Sequence, residues 1–169
     1  MRETVVLGIG TNKAFGTLSG EFLLECACRA LSRVLGEMKK SSIYKTKPMY
    51  VEDQSDFFNM VVSGNFDGSA DELLSEIHRI EADFGRNRAQ EIRFGERTLD
   101  IDIEIFGAQK IKSETLEIQH PRILERAFVL APLAELLKSG QLSLVDSEKY
   151  LDALSKIGDS GVKKIGTAL

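Results

Sequence analysis

The chain has 169 residues, of which 43% are apolar and 28% charged, and its net charge at pH 7 is −4. This size and composition predict one globular domain over residues 1–169, which buries about 70% of the surface of the unfolded chain. The acidic balance argues against a nucleic-acid-binding protein, and no apolar run reaches the roughly 18 residues that a membrane-spanning helix needs.

The first part of the chain predicts a strand, a helix and two further strands. The strand Thr4–Gly10 ends in GIGTN, which lacks the third glycine of a dinucleotide-binding fingerprint. Apolar residues at helical spacing predict a helix over 19–38. Strands are predicted over 41–46 and 57–66, on either side of a polar loop.

Both cysteines, Cys26 and Cys28, lie on the predicted first helix. Residues two apart on a helix point about 200° away from each other, so these thiols cannot form a disulfide with one another. Cys26 follows the apolar stripe and is predicted to be a core residue. Because the N-terminus also lacks the pattern of a secretory signal, we expect a reduced, cytoplasmic setting.

A second helix is predicted to begin after Ser69. Ser69 and Glu72 have the spacing of a capping box, and Gly85 suits the position just beyond the helix end. Its predicted buried stripe consists of Leu73, Ile77, Ile80 and Phe84.

The C-terminal part of the chain predicts short elements. A hairpin is expected over 110–118 and a helical region over 122–137, which Pro132 divides into two pieces. A short strand over 142–145 and a terminal helix over 149–157 complete the prediction.

The segment Gly85–Thr98 contains four arginines and no lysine, namely Arg86, Arg88, Arg93 and Arg97. It has neither helical nor strand periodicity and is predicted to be a mobile loop. Arginine offers a planar fork of donors that suits two-point recognition of phosphate. The alternative is a solvated charge run that pairs with Glu91 and Glu96.

The next segment, TLDIDIEIF over 98–106, alternates apolar residues with carboxylates. In a strand, Leu99, Ile101, Ile103 and Ile105 would lie on one face, and Asp100, Asp102 and Glu104 on the other. The plain interpretation is an amphipathic strand with a hydrated acidic face. An arginine-rich loop that leads into paired aspartates instead favours phosphate clamps next to a magnesium site, the components of phosphoryl-type transfer.

The predicted order of strand, helix, strand, strand, helix and strand is that of the α+β, ferredoxin-like split βαβ fold. Helices cover one face of its antiparallel sheet, which leaves the other face free. We therefore expect the isoleucines on the helix side and the carboxylates on the open side.

These segments resemble the 6-hydroxymethyl-7,8-dihydropterin pyrophosphokinases of folate biosynthesis. The similar stretches cover residues 5–137 and are GIGTN, SSIYKTKP, DQSDFFN, IEADFGR…RFGERTLDIDI and HPRILERAFVL. The resemblance implies transfer of pyrophosphate from ATP to the hydroxymethyl oxygen of the pterin, with release of AMP.

The resemblance also implies the roles of individual residues. Asp100 and Asp102 would hold two Mg²⁺ ions, and Arg86 and Arg97 would act on the phosphates during transfer. The implied ATP-binding residues are Leu74, Glu81, Arg88, Ile103, Leu116, His120 and Arg126. The implied pterin-binding residues are Thr46, Lys47, Met49, Phe57, Asn59, Phe94 and Phe128. Without the resemblance, core packing would be the default for each aromatic residue, and a surface or satisfied histidine for His120.

The chain departs from the family's pattern at several positions. Phe94 stands where tryptophan is common, Lys47 and Gln119 stand where proline is frequent, and His78 replaces a glutamine. Glu104 is a carboxylate where the family usually has an apolar residue, so it is not counted as a metal ligand.

Two other functions are compatible with the residues themselves. A magnesium-dependent phosphodiesterase or nuclease also uses paired aspartates, although it would need a broad basic surface. A non-enzymatic nucleotide-binding domain is the second alternative, since ferredoxin-like folds have many functions. The expected partners are the small-molecule substrates ATP and 6-hydroxymethyl-7,8-dihydropterin, with no nucleic acid and no membrane, and the chain is expected to be a monomer.

Overall fold

The computed structural model describes residues 2–48, 54–90, 95–159 and 161–166. Four α-helices are assigned in these ranges: α1 (Gly20–Leu31), α2 (Ala70–Asp83), α3 (Ala127–Lys138) and α4 (Ser147–Ile157). The strands are β1 (Arg2–Thr11), β2 (Gly36–Lys40), β3 (Ile43–Thr46), β4 (Phe57–Asp67), β5 (Asp100–Phe106), β6 (Ile111–Lys112), β7 (Glu117–Ile118) and β8 (Val162–Gly166). Short 3₁₀ helices span Arg88–Gln90 and Ile123–Glu125.

The main sheet is antiparallel and has the strand order β5-β1-β4-β3-β8. β2 pairs with the same edge of β4 as β3 does, but nearer the C-terminal end of β4. The predicted α+β, ferredoxin-like class is confirmed. The predicted hairpin over 110–118 is also confirmed, because β6 and β7 pair with each other.

Helices α1 and α2 pack on one face of the sheet. Their buried residues form one core cluster with alternate residues of β1, including Val5, Leu7 and Ile9. The start of α2 is as predicted, because the Ser69 side chain accepts from the Glu72 amide and the Glu72 side chain accepts from the Ser69 amide. This reciprocal cap orients the helix that carries Glu81.

The opposite face of the sheet is not free, which corrects the prediction. A second cluster forms there between strand residues such as Val6 and Val61 and apolar residues of α3 and α4. On α3, Glu135 accepts hydrogen bonds from the Tyr44 hydroxyl at 2.7 Å and the Ser42 hydroxyl at 2.8 Å, which ties the helix to β3. The C-terminal helices therefore cover part of this face and form one wall of any cavity on it.

The predicted first helix is too long at its C-terminal end. α1 ends at Leu31, a turn follows, and Gly36–Lys40 is a strand rather than helix. The two cysteines are free, as predicted. The prediction that Cys26 is the core residue is wrong, because Cys28 is buried with its thiol 3.6 Å from the Met60 sulfur, whereas Cys26 is only partly buried. Burial raises the pKa of Cys28 to about 11, so this thiol is inert.

β5 does not keep a strict alternation along its length. Its pairing with β1 shifts between Val6 and Leu7, which are opposite Ile105 and Ile103 respectively. This bulge turns Ile105 towards the α3 and α4 cluster, so the prediction that Ile105 faces α1 and α2 is wrong. Glu104 is the residue that the irregular pairing skips.

The C-terminal prediction needs three further corrections. α3 continues through Pro132, which is buried inside the helix rather than dividing it. Residues 142–145 form no strand, and the helix predicted over 149–157 is α4, which is followed by the unpredicted edge strand β8. Among the described residues, no helix is both long enough and apolar enough to cross a membrane.

Candidate active site

Two glycines of β1 form the floor of a cavity on the face of the sheet opposite α1 and α2. Gly8 pairs with Asp102 and Gly10 with Asp100, so each carboxylate lies beside a residue without a side chain. A Cβ atom on Gly10 would be 3.0 Å from the Asn59 side chain, so glycine also permits close approach on the β4 side. The cavity has a volume of about 270 Å³.

Guanidinium groups occupy the two aspartates in this ligand-free structure. Asp100 accepts from Arg86 at 2.6 Å through one oxygen and from Arg97 at 2.6 Å through the other. Asp102 accepts from Arg126 at 3.1 Å. The arginines expected to bind phosphate are therefore paired with the carboxylates expected to bind metal.

Glu81 of α2 is the second anchor of this arginine network. Its buried carboxylate accepts from Arg86, from Arg88 at 2.6 Å and from the amide of Ile101 at 2.8 Å. The Arg86 side chain is only 4% exposed and bridges Glu81 to Asp100. Arg86 and Arg97 both pair with Asp100, whereas the predicted alternative of pairing with Glu91 stays a prediction, because Glu91 lies outside the described residues.

The two aspartates have opposite pKa shifts. Burial favours the neutral acid at Asp100, but the Arg86 and Arg97 guanidinium groups outweigh it and hold the pKa of this carboxyl below its usual value. At Asp102, burial and the negative charge of Asp100 raise the pKa, and Arg126 opposes them only in part. A divalent cation would relieve this repulsion, which fits a cation site at the pair.

Arg97 is held in position by backbone contacts to the end of β1. Its amide donates to the Asn12 side-chain oxygen at 2.8 Å, and its carbonyl accepts from the amides of Asn12 and Lys13 at 3.1 Å each. The Arg97 Nε atom is buried and has no hydrogen-bond partner among the described residues. One donor of this side chain is thus available to a ligand that enters the cavity.

Five of the residues expected to bind pterin line the same cavity: Thr46, Lys47, Phe57 and Asn59 from β3, β4 and the residue after β3, and Phe128 from α3. Phe57 and Phe128 both line it and are half-buried. The Asn59 amide donates to the Thr46 hydroxyl at 3.0 Å, which fixes the amide orientation in a buried position. The Arg126 guanidinium lies 5.6 Å from the centre of the Phe128 ring and also donates to Asp102. This side chain therefore links an aspartate to an aromatic residue of the cavity.

His120 lies at the other end of the cavity, after β7. Its Nδ1 atom accepts from the Arg122 amide at 3.1 Å, and its own amide donates to the Glu104 carbonyl at 3.1 Å. Burial, together with Arg126 and Arg122, lowers the pKa of His120 to about 4. The ring is therefore neutral at physiological pH and can offer a hydrogen bond but not a positive charge.

Glu104 lines the cavity next to Asp102, although its residue is 0% exposed. Neither carboxylate oxygen has a hydrogen-bond partner among the described residues. Burial and the charge of Asp102 raise the pKa of Glu104 to about 8. The sequence resemblance gave no reason to include this residue, and its burial is visible only in the structure.

The cavity brings together ten of the eighteen residues expected at the site: Thr46, Lys47, Phe57, Asn59, Arg97, Asp100, Asp102, His120, Arg126 and Phe128. A neighbouring cleft contains Glu81, Arg86 and Arg88. Leu74, Ile103 and Leu116 pack in or against the core cluster under α1 and α2, so the adenine slot that they would line stays a prediction. Met49 and Phe94 lie outside the described residues.

Sequence reasoning missed several residues that shape the cavity, among them Gly8, Gln54, Arg122 and Val129. It also missed Asn12. The signal for Asn12 was a polar residue directly after a buried strand, and the structure shows it to be 6% exposed with three hydrogen bonds through its side chain.

The available ligands suit a magnesium ion that phosphate also binds better than a metal ion bound by protein side chains alone. No group of three or more His, Cys, Asp or Glu residues is arranged to hold a metal ion within the described ranges. Mg²⁺ is commonly bound by one or two carboxylates together with substrate phosphates and water. Asp100 and Asp102 fit that requirement.

Comparison with known proteins gave consistent matches. The profile of the 7,8-dihydro-6-hydroxymethylpterin-pyrophosphokinase (HPPK) family matches residues 6–138. The 2-amino-4-hydroxy-6-hydroxymethyldihydropteridine pyrophosphokinase of Bacillus subtilis is 44% identical over 110 residues, which are 65% of each chain. The protein of the same name from Haemophilus influenzae is 35% identical over 84% of this chain and 88% of its own.

A solved structure shows the same fold at lower identity. The crystal structure of Plasmodium falciparum HPPK-DHPS superposes with a TM-score of 0.64 at 16% identity. The match covers 95% of this chain and 46% of the Plasmodium chain. This chain thus spans about two thirds of the Bacillus relative and less than half of the Plasmodium protein.

Proposed function

The chain belongs to the HPPK family, and on that premise we propose that it transfers pyrophosphate from ATP to 6-hydroxymethyl-7,8-dihydropterin, a step of folate biosynthesis. The hydroxymethyl oxygen of the pterin attacks the β-phosphorus of ATP. The bond from that phosphorus to the oxygen shared with the α-phosphorus breaks, AMP leaves with the oxygen, and the hydroxyl proton passes to solvent.

The observation that carries this proposal is the composition of the cavity. Paired aspartates and arginines line it, and so do two aromatic rings and a buried amide. The first group suits a triphosphate with its cations, and the second suits a flat heterocycle with polar edges. A nuclease or a simple nucleotide-binding domain would not need the second group.

The ion pairs of the ligand-free cavity suggest how the arginines act. Asp100 and Asp102 are the residues that would hold magnesium, and the metal would neutralise phosphate charge and align the reacting oxygens. With a cation bound at Asp100, the Arg86 and Arg97 guanidinium groups would donate to phosphate oxygens instead. The buried Nε atom of Arg97, which has no hydrogen-bond partner in the described part of the chain, would be a further donor.

On the pterin side, the chain's own residues supply stacking and hydrogen bonds. Phe57 and Phe128 would lie on the two faces of the ring, as offset stacking requires. Asn59 would pair with the amide edge of the pterin, because its orientation is already fixed by Thr46. This preorganisation reduces the entropy lost on binding and places the hydroxymethyl group towards the phosphates.

We also propose that the chain acts as a monomer. A cytoplasmic location, where ATP and pterin are available, is part of the same proposal.

The direct test is incubation with ATP, Mg²⁺ and 6-hydroxymethyl-7,8-dihydropterin, with nucleotides separated by chromatography. AMP that forms only when pterin is present, in equal amount to the pterin diphosphate, supports the proposal. AMP or ADP without pterin would indicate a hydrolase, and no turnover with measurable ATP binding would indicate a binding module.

Two variants control the assay. Asp102→Asn removes a proposed metal ligand with little change of shape and should abolish AMP formation. Asp152→Asn changes charge by the same amount at an exposed position of α4 and should leave the rate unchanged.

A further inference from the structure

Glu104 is a buried carboxylate without a partner, next to the cation site. It lies two residues beyond Asp102 on β5, roughly 7 Å along the strand, and both residues line the cavity. The pairing of β5 with β1 skips Glu104, which stays on the same face of β5 as Asp102. A Cβ atom on Gly8 would be 2.9 Å from Glu104 Oε1, so glycine at position 8 makes the room that this carboxyl occupies.

The described residues do not satisfy this carboxyl group. Neither oxygen accepts a hydrogen bond, although buried polar side chains in proteins almost always have a partner. Arg126 is close enough to influence Glu104 electrostatically but donates to Asp102 instead. Since an unpaired buried carboxyl lowers stability, a fold that retains one at a cavity wall indicates a ligand that completes it.

The neighbouring residues indicate what kind of ligand this is. A cation at Asp102 would favour the ionised form of Glu104. In that form the carboxylate can only accept hydrogen bonds, so its partner is a donor or the cation itself. A magnesium ion bound by two carboxylates and phosphates retains several water molecules, and these are strong donors. Carboxylates that accept from metal-bound groups strengthen metal binding without being ligands themselves.

We propose that Glu104 is a positioning residue of the magnesium site, which accepts hydrogen bonds from water bound to the cation at Asp102 and adds negative charge behind it. The inference rests on the proposed function, because it assumes that Asp102 binds the cation. It goes beyond that function, because an apolar residue is usual at position 104 in the family. It gives this chain a third carboxylate that favours the cation.

The test measures cation binding rather than turnover. Mn²⁺ is titrated into wild type in the presence of an ATP analogue with a methylene group between the α- and β-phosphorus, and binding is followed by calorimetry and by the Mn²⁺ EPR spectrum. Glu104→Gln keeps the shape and removes the charge, and Glu104→Leu removes both charge and polarity. Glu21→Gln, an exposed position on α1, is the control for the loss of one negative charge.

Both Glu104 variants should bind Mn²⁺ about 10-fold more weakly or worse, with an altered EPR line shape, while Glu21→Gln behaves as wild type. Affinities within twofold of wild type in both Glu104 variants would overturn the inference, provided that Asp102→Asn does weaken binding. If Asp102→Asn also has no effect, the cation site of the proposed function fails as well, so the two failures can be distinguished.

Discussion

Glu104→Gln should change how the stability of the ligand-free protein depends on pH. Burial and Asp102 raise the pKa of Glu104 to about 8, compared with about 4.5 in an unfolded chain. Between these values the folded protein keeps a proton that the unfolded chain has lost. Stability therefore falls as pH rises through this window, which is the reverse of the usual behaviour of an ion-paired carboxylate.

The size of the effect follows from the pKa difference. Each pH unit inside the window costs about 1.4 kcal/mol, so the wild type should lose about 3 kcal/mol through this group between pH 5 and pH 7.5. Glu104→Gln removes that loss. For a chain of this size, the variant should gain roughly 6–12 °C in melting temperature over wild type at pH 7.5, and much less at pH 5.

The assay is thermal or urea unfolding at both pH values in the presence of EDTA, so that divalent cations do not contribute. Glu21→Gln serves as the control because that side chain stays hydrated in both states. Parallel pH profiles for wild type and Glu104→Gln would refute the reasoning, since they would mean that Glu104 ionises in the fold at no cost.

Four other substitutions test the roles proposed for other residues of the cavity. Arg97→Ala should reduce kcat by about 100-fold or more with little change in the Kd for ATP, and an effect on binding alone would make Arg97 a ground-state contact. Asp100→Ala should reduce turnover to background, and a rate near that of wild type would reject the metal assignment. Phe128→Leu should raise the KM for pterin about 3- to 10-fold but not that for ATP, as steady-state kinetics would show. His120→Asn should retain more stability in urea on acidification from pH 6.5 to 4 than wild type, because the lowered pKa of His120 means that only the unfolded wild type gains a proton there.

The parts of the fold that sequence predicted well are those in which local chemistry and tertiary packing agree. The capping box at Ser69 and Glu72 fixes the start of α2 through neighbouring residues alone, so it could be read directly. β2 could not be predicted, because Val34 and Leu35 continue the helical spacing of α1 past its true end. The polar strand β8 forms only because β3 offers it an edge.

The same distinction applies to the site. The acidic face of β5 and the arginine-rich segment were visible as patterns, but their pairing was not. Glu81 becomes the anchor of Arg86 because α2 packs beside β5, and no spacing in the sequence shows that contact. Glu104 was set aside because the family usually has an apolar residue at this position, and its complete burial beside Asp102 depends on tertiary packing that the sequence pattern does not show.

The position of β1 has a consequence for how the protein is made. β1 precedes the other described strands in the chain and lies between β4 and β5, and its residues from Val5 to Gly10 pair with partners that end only at Phe106. One of its edges therefore stays open until β4 has been synthesised, and the other until β5 has. During that interval a nascent chain exposes an apolar strand that a chaperone could cover, and the cavity floor is completed late, when β5 docks.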